Sequence, residues 1–313
     1  MANRKWSLLF TIALAACGGG DADQAGTDGA ALSGSITADG SSTVFPISQA
    51  VSEEFTRANN GGVQVTVGQS GTGGGFKRFC LGETDISNAS RPIKDEEKAI
   101  CAQNGVEFTE MQVAYDGLSV LAHPSNSFLT CITVPELKKI WEPGSQVERW
   151  SEVRSGFPNE EIKLYGPGTA SGTFDYFTEV INGKAQASRS DFTQSEDDNV
   201  LVQGVSGDPH ALGYFGYAYY EQNKEKLKLI PVDGGTGCVT PSPETIKNGT
   251  YAPLSRPLFL YISKKALARP EVQGFVKFLN ENAVTLIPQV GYVPLDAVKY
   301  QENLGSVATT TAQ

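Results

Sequence analysis

Three loops rich in serine, threonine and glycine carry the residues best suited to binding chemistry. They lie at residues 40–46, 68–75 and 166–175, and each precedes a segment with helical spacing of apolar residues. The first turn of a helix leaves backbone N–H groups without intrahelical partners, and the helix dipole adds partial positive charge there. Hydroxyl donors and closely approaching glycine backbone complete the chemistry of an oxyanion site. Three such loops predict helix N-termini that converge on one small anion, rather than three ordinary helix caps.

The sequence gives little support for catalysis. The serine within residues 168–172 stands one place too late for the G-x-S-x-G nucleophile turn. The only histidines, His123 and His210, stand beside prolines in segments typical of surface loops. We find no metal-binding cluster, no nucleotide-binding fingerprint and no pair of nucleophile and base. We therefore expect a binding protein without cofactor or metal, and not an enzyme.

The first residues predict export. Arg4 and Lys5 precede a short apolar run, and residues 14–17 have the pattern of a lipoprotein signal that ends at Cys17. Because the run is too short for a transmembrane helix, we expect cleavage before Cys17 and lipidation of that residue. Residues 18–34, rich in glycine, alanine and aspartate, predict a flexible tether. The mature chain is therefore expected in the periplasm or at the cell surface, held by a lipid anchor.

Four cysteines remain in the predicted mature chain, and an oxidising compartment favours disulfides between them. We favour Cys80–Cys101, which is local in sequence, and Cys131–Cys238, which closes a long loop. Four cysteines permit three pairings, so the sequence alone leaves the connectivity open.

The charge of the chain narrows the choice of partners. The formal net charge is −10, and it becomes −12 when the two cations of the predicted signal are removed. Such a charge argues against a nucleic-acid partner and against a basic membrane-binding face. It does not exclude a small anion, because local donors and dipoles can bind an anion that the overall field repels.

Strand-like and helix-like segments alternate along the 313 residues, which predicts an α/β fold with parallel-dominated sheets. Ligand loops of such sheets lie at the carboxyl ends of strands, which is where these loops fall. The sequence predicts that a new strand begins at Asp116, directly after another, and residues 257–262 are strongly strand-like. We therefore place a crossing between the lobes at each of these two points. Two crossings predict a hinge and an interdomain cleft. The predicted lobes are residues 35–115 with 255–304, and residues 116–254, followed by a disordered tail at 305–313.

The ordered set of motifs resembles the phosphate-binding proteins of phosphate ABC importers, of the PstS and SphX type. The resemblance covers about residues 35–300 and rests on residues 40–46, 69–73, 85–91, 168–175, 213–218 and 254–258. It implies a two-domain periplasmic-binding-protein fold of the second type, which captures inorganic phosphate in its cleft for a membrane permease. We expect a monomer. A binding protein for sulfate, molybdate or a phosphonate, and a phosphate-sensing lipoprotein, remain alternatives.

The resemblance also implies the ligand contacts. They are Ser42, Thr43 and Val44 in the first loop, Ser70 and Gly71 in the second, Ser90 and Arg91 after a third strand, and Ser171, Gly172 and Thr173 in the last loop. This chain departs from the family pattern twice. Arg91 stands where some members carry aspartate, and Pro167 stands where some carry arginine. A charge has therefore moved between loops, and Arg91 would supply the guanidinium fork that suits phosphate.

A site that prefers phosphate to sulfate needs a hydrogen-bond acceptor, because phosphate near neutral pH keeps one or two protons. An acceptor left unpaired opposite sulfate costs about 1–3 kcal/mol. With aspartate absent at position 91, the candidates are Asp39, beside the first loop, and Asp116, at the first crossing. We favour Asp116, paired with Arg91. Its alternative role is to cap a turn with Gly117.

Overall fold

The computed structural model describes residues 32–169, 171–195 and 197–311, with side chains described as far as residue 305. The predicted signal, the lipidation of Cys17 and residues 18–31 of the predicted tether lie outside these ranges. The tether was expected to reach residue 34, but Leu32 already packs against the core and the first strand begins at Gly34. Within the described ranges, no helix combines the length and the apolar character needed to cross a membrane.

Strands and helices alternate along the first part of the chain, as the sequence predicts. The elements there are β1 (Gly34–Gly40), α1 (Phe45–Ala58), β2 (Val63–Val67), α2 (Gly71–Cys80), β3 (Ile86–Ala89), α3 (Asp95–Gln103) and β4 (Phe108–Ala122). Val63, Val65 and Val67 give β2 the alternation of a strand, and Ile47, Val51 and Phe55 form the buried face of α1.

The middle of the chain forms shorter elements. They are β5 (Ile132–Thr133), α4 (Val134–Trp141), α5 (Trp150–Val153), β6 (Lys163–Pro167), α6 (Gly172–Phe177), a π-helical turn (Thr178–Asn182), β7 (Thr193–Ser195), α7 (Asp198–Gly207), β8 (Ala211–Gly216), α8 (Tyr217–Gln222), β9 (Lys228–Ile230), β10 (Val232–Asp233), β11 (Cys238–Val239) and α9 (Pro243–Lys247). The chain ends with β12 (Ser255–Ser263), α10 (Lys264–Leu267), α11 (Pro270–Gln289), β13 (Val293–Pro294) and α12 (Ala297–Thr311).

One large sheet runs through the described part of the chain in the order β2-β1-β3-β12-β4-β8-β6-β7, and β13 and β9 also pair with β4. Pairing is parallel in both arms, where β1 joins β2 and β3, and β6 joins β7 and β8. The central strands β12 and β4 are antiparallel to each other and to their outer neighbours. Because β1, β2 and β3 are parallel, the loops that follow them meet at one edge of the sheet.

Strand β4 connects the two halves of the molecule and contradicts the predicted strand break at Asp116. It continues from Phe108 to Ala122, pairing first with β12 and then with β8. Residues 116–122 are all buried, as expected for a strand covered on both faces. Gly117 suggested a turn, but a Cβ there would meet Ile246 Cδ1 at 2.5 Å. This glycine therefore makes room for packing. The predicted strand at residues 257–262 is confirmed within β12.

Four clusters of buried side chains form the core of the described residues, and the two largest belong to different arms of the sheet. One includes Phe55, Leu260 and Phe275, and the other surrounds Trp141 and Tyr214. The groups support the division into lobes, while the exact lobe boundaries stay a prediction.

Both favoured disulfide pairings are confirmed. Cys80–Cys101 joins the end of α2 to α3, and Cys131–Cys238 joins the segment before β5 to β11. The second bond fixes the edges of the small sheet β11-β10-β5.

The predicted disordered tail is instead helical as far as Thr311. Tyr300, in the first part of α12, is buried, and its hydroxyl donates to the Val113 carbonyl at 2.8 Å and accepts from the Leu295 N–H at 3.0 Å. Once such packing has fixed the first turns, each added residue gains a hydrogen bond at little further entropic cost. Composition alone did not reveal this anchor.

Candidate functional site

A cavity of about 270 Å³ lies between the loops of the first half and helix α6 of the second. Its lining residues are Ser41, Ser42, Thr43, Gly71, Thr72, Gly73, Ser90, Arg91, Asp175, Tyr176, Glu179, Ala185 and Arg256. The structure thus brings together Ser42, Thr43, Gly71, Ser90 and Arg91, all of them predicted from the sequence. The predicted convergence of separate loops on one small site is present.

Helix α2 directs backbone donors at the cavity. The first N–H groups of a helix lack intrahelical partners, and the N-cap residue of α2, Ser70, makes no capping hydrogen bond to them with its side chain. Gly71, Thr72 and Gly73, which carry such groups, line the cavity. The hydroxyls of Thr72 and Ser90 lie 3.0 Å apart beside them. This wall is therefore rich in donors.

Ser70 itself is not a lining residue of the cavity, and Asp39 holds it in place. Its hydroxyl donates to Asp39 Oδ2 at 2.9 Å and its N–H donates to Oδ1 at 3.1 Å. The Gly40 N–H and the Arg78 guanidinium occupy the same carboxylate, at 2.8 and 2.6 Å. Both oxygens of Asp39 are thus engaged, so this alternative acceptor has a structural role.

The last predicted loop supports the site through close packing. A Cβ on Gly172 would lie 2.3 Å from Thr43 Cα, so only glycine permits this approach of the two halves. The Thr43 hydroxyl donates to the Gly172 carbonyl at 3.2 Å, and Ser171 caps α6 by accepting from the Thr173 N–H. Ser171, Gly172 and Thr173, together with the buried Val44, lie next to the cavity and not on its wall.

Arg91 lines the cavity, but its fork is already occupied. Nη1 and Nη2 donate to the two carboxylate oxygens of Glu97 at 2.9 and 2.8 Å. Burial would raise the pKa of Glu97, but hydrogen bonds from Arg91 and the Lys94 backbone lower it. The predicted pair of Arg91 with Asp116 is therefore wrong. Glu97 stands at the third position of α3, where its carboxylate also caps the helix, so it is fixed beside Arg91.

Arg256 is a cation of the cavity that sequence reasoning missed. It lies on β12 opposite Asp116 of β4, and its Nε lies 3.4 Å from Asp116 Oδ2. Nη2 donates to the Thr43 hydroxyl at 2.8 Å, and the guanidinium carbon lies 3.5 Å from the centre of the Tyr176 ring. The side chain is 15% exposed. Arg256 thus touches the first loop, the central strand and α6. The sequence motif at residues 254–258, which contains Arg256, could have indicated this residue.

Asp116 lies behind Arg256 and not on the cavity wall. It is 1% exposed, and this burial raises its pKa to about 6, although the charge of Arg256 and its hydrogen bond oppose the shift. Asp116 is therefore placed to position Arg256, which does line the cavity.

Two carboxylates that the sequence analysis did not select complete the site. Asp175 Oδ2 accepts from the Ser42 hydroxyl at 2.9 Å. Its Oδ1 is buried without a hydrogen-bond partner among the residues that the structure describes. Glu179 follows one turn later, on the same side, with Oε2 3.9 Å from Arg256 Nη1 and its side chain 60% exposed. Asp175 is the last residue of the motif at residues 168–175, so this motif could have indicated it.

The cavity therefore combines donors with acceptors. Hydroxyls, helix amides and two guanidinium groups can hold the oxygens of an oxyanion, and the carboxylates can accept its protons. In the described ranges, no three His, Cys, Asp or Glu side chains lie close enough together to hold a metal ion.

Comparison with known families and proteins gives concordant matches. A family model described as a PBP superfamily domain matches residues 25–282. Protein SphX from Synechococcus elongatus is 52% identical over 268 residues, which are 85% of this chain and 79% of SphX. Phosphate-binding protein PstS from Staphylococcus saprophyticus is 40% identical over 307 residues, which are 96% of this chain and 93% of PstS.

Solved structures include the same kind of protein. The crystal structure of a possible phosphate binding protein from Planctomyces limnophilus is 52% identical, with a TM-score of 0.84, and the match covers 89% of this chain and 99% of that one. These similarities confirm the resemblance predicted from the motifs and the two-domain α/β fold class.

Proposed function

We propose that this chain, which belongs to the PBP superfamily and within it to the PstS and SphX proteins, captures inorganic phosphate outside the cytoplasm for an ABC importer. The observation that carries this proposal is a small cavity lined by oxyanion donors and by Asp175, whose Oδ1 is buried without a hydrogen-bond partner among the described residues. The name of PstS, a relative over nearly its whole length, supports phosphate as the solute. The protein acts by binding and release, and not as an enzyme.

The donor groups alone would suit many oxyanions. Helix amides and guanidinium groups bind sulfate, molybdate or phosphate through the same oxygens. Asp175 changes this, because a carboxylate needs a proton from its ligand and sulfate has none at neutral pH. We therefore assign to Asp175 the acceptor role that the sequence suggested for Asp116.

The proposed contacts combine predicted and newly found residues. The residues predicted to bind phosphate through their side chains or backbone remain proposed as contacts. They are Ser42, Thr43, Val44, Ser70, Gly71, Ser90, Arg91, Ser171, Gly172 and Thr173. Arg256 joins them as the second guanidinium, and Asp116 acts through Arg256. Closure of the two lobes around the ion would bring these groups together.

We further propose that the chain is exported and works as a lipid-anchored monomer. Arg4, Lys5 and the run before Cys17 support a cleaved signal, and the two disulfides suit an oxidising compartment. Labelling with a radioactive fatty acid should mark the wild-type chain and not a Cys17→Ser variant. Labelling of both would contradict the anchor.

Isothermal titration of the ligand-stripped protein with phosphate, sulfate and molybdate in parallel tests the binding function. We expect tight one-to-one binding of phosphate and a far weaker response to the other two. Tight binding of sulfate or molybdate instead would favour the alternative oxyanion function. Binding of none of the three would point to a lipoprotein without a transport role, and turnover of a phosphomonoester would contradict the assignment as a non-enzyme.

A further inference from the structure

We propose that the cavity takes up phosphate as the monobasic ion, whose two hydroxyl groups face the carboxylates of Asp175 and Glu179. This inference rests on the proposed function and specifies which protonation state of phosphate the site selects.

The charges around the cavity do not favour a dianion. The two cations on the wall, Arg91 and Arg256, each have a carboxylate partner behind them, Glu97 at 2.8 Å and Asp116 at 3.4 Å. These pairs leave the charges of Asp175 and Glu179 as an excess on the opposite wall. The cavity therefore attracts anions through hydrogen bonds more than through net charge.

The other charged groups near the cavity do not remove this excess. Arg78 and Asp39 form a pair at 2.6 Å behind α2 and add no net charge. Lys184, next to the lining residue Ala185, is exposed to solvent, where its charge is screened. Burial raises the pKa of Tyr176, whose hydroxyl donates to the Pro253 carbonyl, so Tyr176 stays neutral.

The two carboxylates have acceptor capacity to spare. Asp175 uses Oδ2 for the Ser42 hydroxyl, while Oδ1 has no partner among the described residues. Glu179 lies 3.9 Å from Arg256, beyond hydrogen-bond reach. The two residues lie four positions apart on adjoining helical turns, so their carboxylates point to the same side.

The two carboxylates then select the protonation state of phosphate, because each can accept one hydrogen bond from a phosphate hydroxyl. Monobasic phosphate offers two hydroxyls for two carboxylates. Dibasic phosphate offers one hydroxyl, and would leave a carboxylate facing a charged oxygen. Sulfate offers none and leaves both carboxylates unmatched, which is the least favourable arrangement.

Counting protons during binding tests this inference. The protein is titrated with phosphate at about pH 8, where the dibasic ion dominates in solution, in buffers that differ in heat of ionisation. Selection of the monobasic ion requires that about one proton passes from the buffer to each phosphate that binds. The apparent Kd for total phosphate should also rise about tenfold per pH unit above the second pKa of phosphate. Phosphate binding without proton uptake would overturn the inference and leave the proposed function intact.

Failure to bind phosphate at any pH would overturn both the inference and the proposed function. The wild-type count can overturn the inference without any variant, because absence of proton uptake contradicts it directly.

Variants locate the proton. Asp175→Asn and Glu179→Gln should each reduce the uptake towards zero, because each removes one unmatched carboxylate. Glu281→Gln, a change of the same type at an exposed position of helix α11, should leave the uptake unchanged. Asp116→Asn tests whether the buried carboxylate behind Arg256 holds the proton instead. Loss of uptake in Asp116→Asn, with uptake kept in the other two, would place the proton on Asp116 and contradict the proposal.

Discussion

The two walls of the cavity offer an oxyanion different chemistry. The loops after β1, β2 and β3 present hydroxyls, helix amides and the guanidinium of Arg91. Helix α6 and the π-helical turn present the carboxylates of Asp175 and Glu179. Donors suit any oxyanion, whereas acceptors discriminate by the protons that the anion carries. Affinity and selectivity therefore depend on opposite walls, so mutation should separate them.

The two arginines of the cavity also differ. Arg91 gives its fork to Glu97 through two hydrogen bonds of 2.9 and 2.8 Å. Arg256 makes one short bond to the Thr43 hydroxyl, while its carboxylate neighbours lie at 3.4 and 3.9 Å. A guanidinium has five N–H donors, so Arg256 keeps more of them for a ligand. We therefore expect Arg256 to be the dominant cation of the site.

The largest effect is expected for Arg256→Ala. The variant loses a largely buried guanidinium and should bind phosphate about 100-fold more weakly, or worse, by titration. Because Asp116 is left buried without its partner, the free energy of unfolding should fall by about 3–5 kcal/mol. Arg57→Ala, on an exposed arginine, is the matched control. Unchanged phosphate affinity in Arg256→Ala would remove this residue from the site.

Asp175→Asn should affect selectivity more than affinity for anions in general. The amide can donate to an oxygen that has no proton, so sulfate binding should improve while phosphate binding weakens. We expect the ratio of phosphate to sulfate affinity to fall by about 10- to 100-fold, the equivalent of 1–3 kcal/mol. Competition titrations measure the ratio, with Asp95→Asn, on a fully exposed side chain, as control. A ratio equal to that of the wild type would show that the acceptor lies elsewhere.

The raised pKa of Asp116, which lies behind Arg256, predicts that the stability of the protein depends on pH. Burial raises its pKa from 3.8 to about 6 in the folded protein. Between these values the folded state binds more protons than the unfolded state, so this residue's contribution to stability falls as the pH rises through that window. The slope should reach at most about 1.4 kcal/mol per pH unit. Denaturant unfolding of the wild type and Asp116→Asn across pH 4–6 isolates the effect. Parallel curves for the two proteins would contradict the raised pKa.

Arg91→Gln should have the smallest effect on binding. Since Glu97 already engages the fork, phosphate affinity should fall less than about tenfold, which corresponds to about 1.4 kcal/mol. Thermal melting should report a modest loss of stability, because Glu97 loses its partner. A loss of affinity as large as that of Arg256→Ala would reverse the ranking of the two arginines.

The cavity wall formed by the loops after β1, β2 and β3 could be predicted from the sequence, because the patterns that indicate it are local. Serine, threonine and glycine directly before a helix indicate N–H groups without partners, whatever the rest of the fold does. Ser42, Thr43, Gly71, Ser90 and Arg91 all line the cavity, as predicted. The parallel strands that precede these loops were also legible from alternating apolar residues.

The opposite wall, which carries the carboxylates of Asp175 and Glu179, could not be predicted in the same way. Asp175 and Glu179 are ordinary acidic residues of an amphipathic helix until their neighbours are known. Arg256 reaches Thr43 across 213 positions, through the pairing of β12 with β4. No local pattern encodes such a contact. The strand break expected at Asp116 failed for a related reason, because Gly117 serves a packing contact with Ile246 that the sequence does not reveal.

A crystal structure of the protein with phosphate bound would test whether donors and acceptors hold the ion from opposite walls. We expect one phosphate in the cavity, with a short hydrogen bond of about 2.5–2.7 Å to Asp175 and a guanidinium contact from Arg256. Phosphate held by the donor loops alone, with Asp175 beyond hydrogen-bond reach, would contradict the division of roles between the two walls.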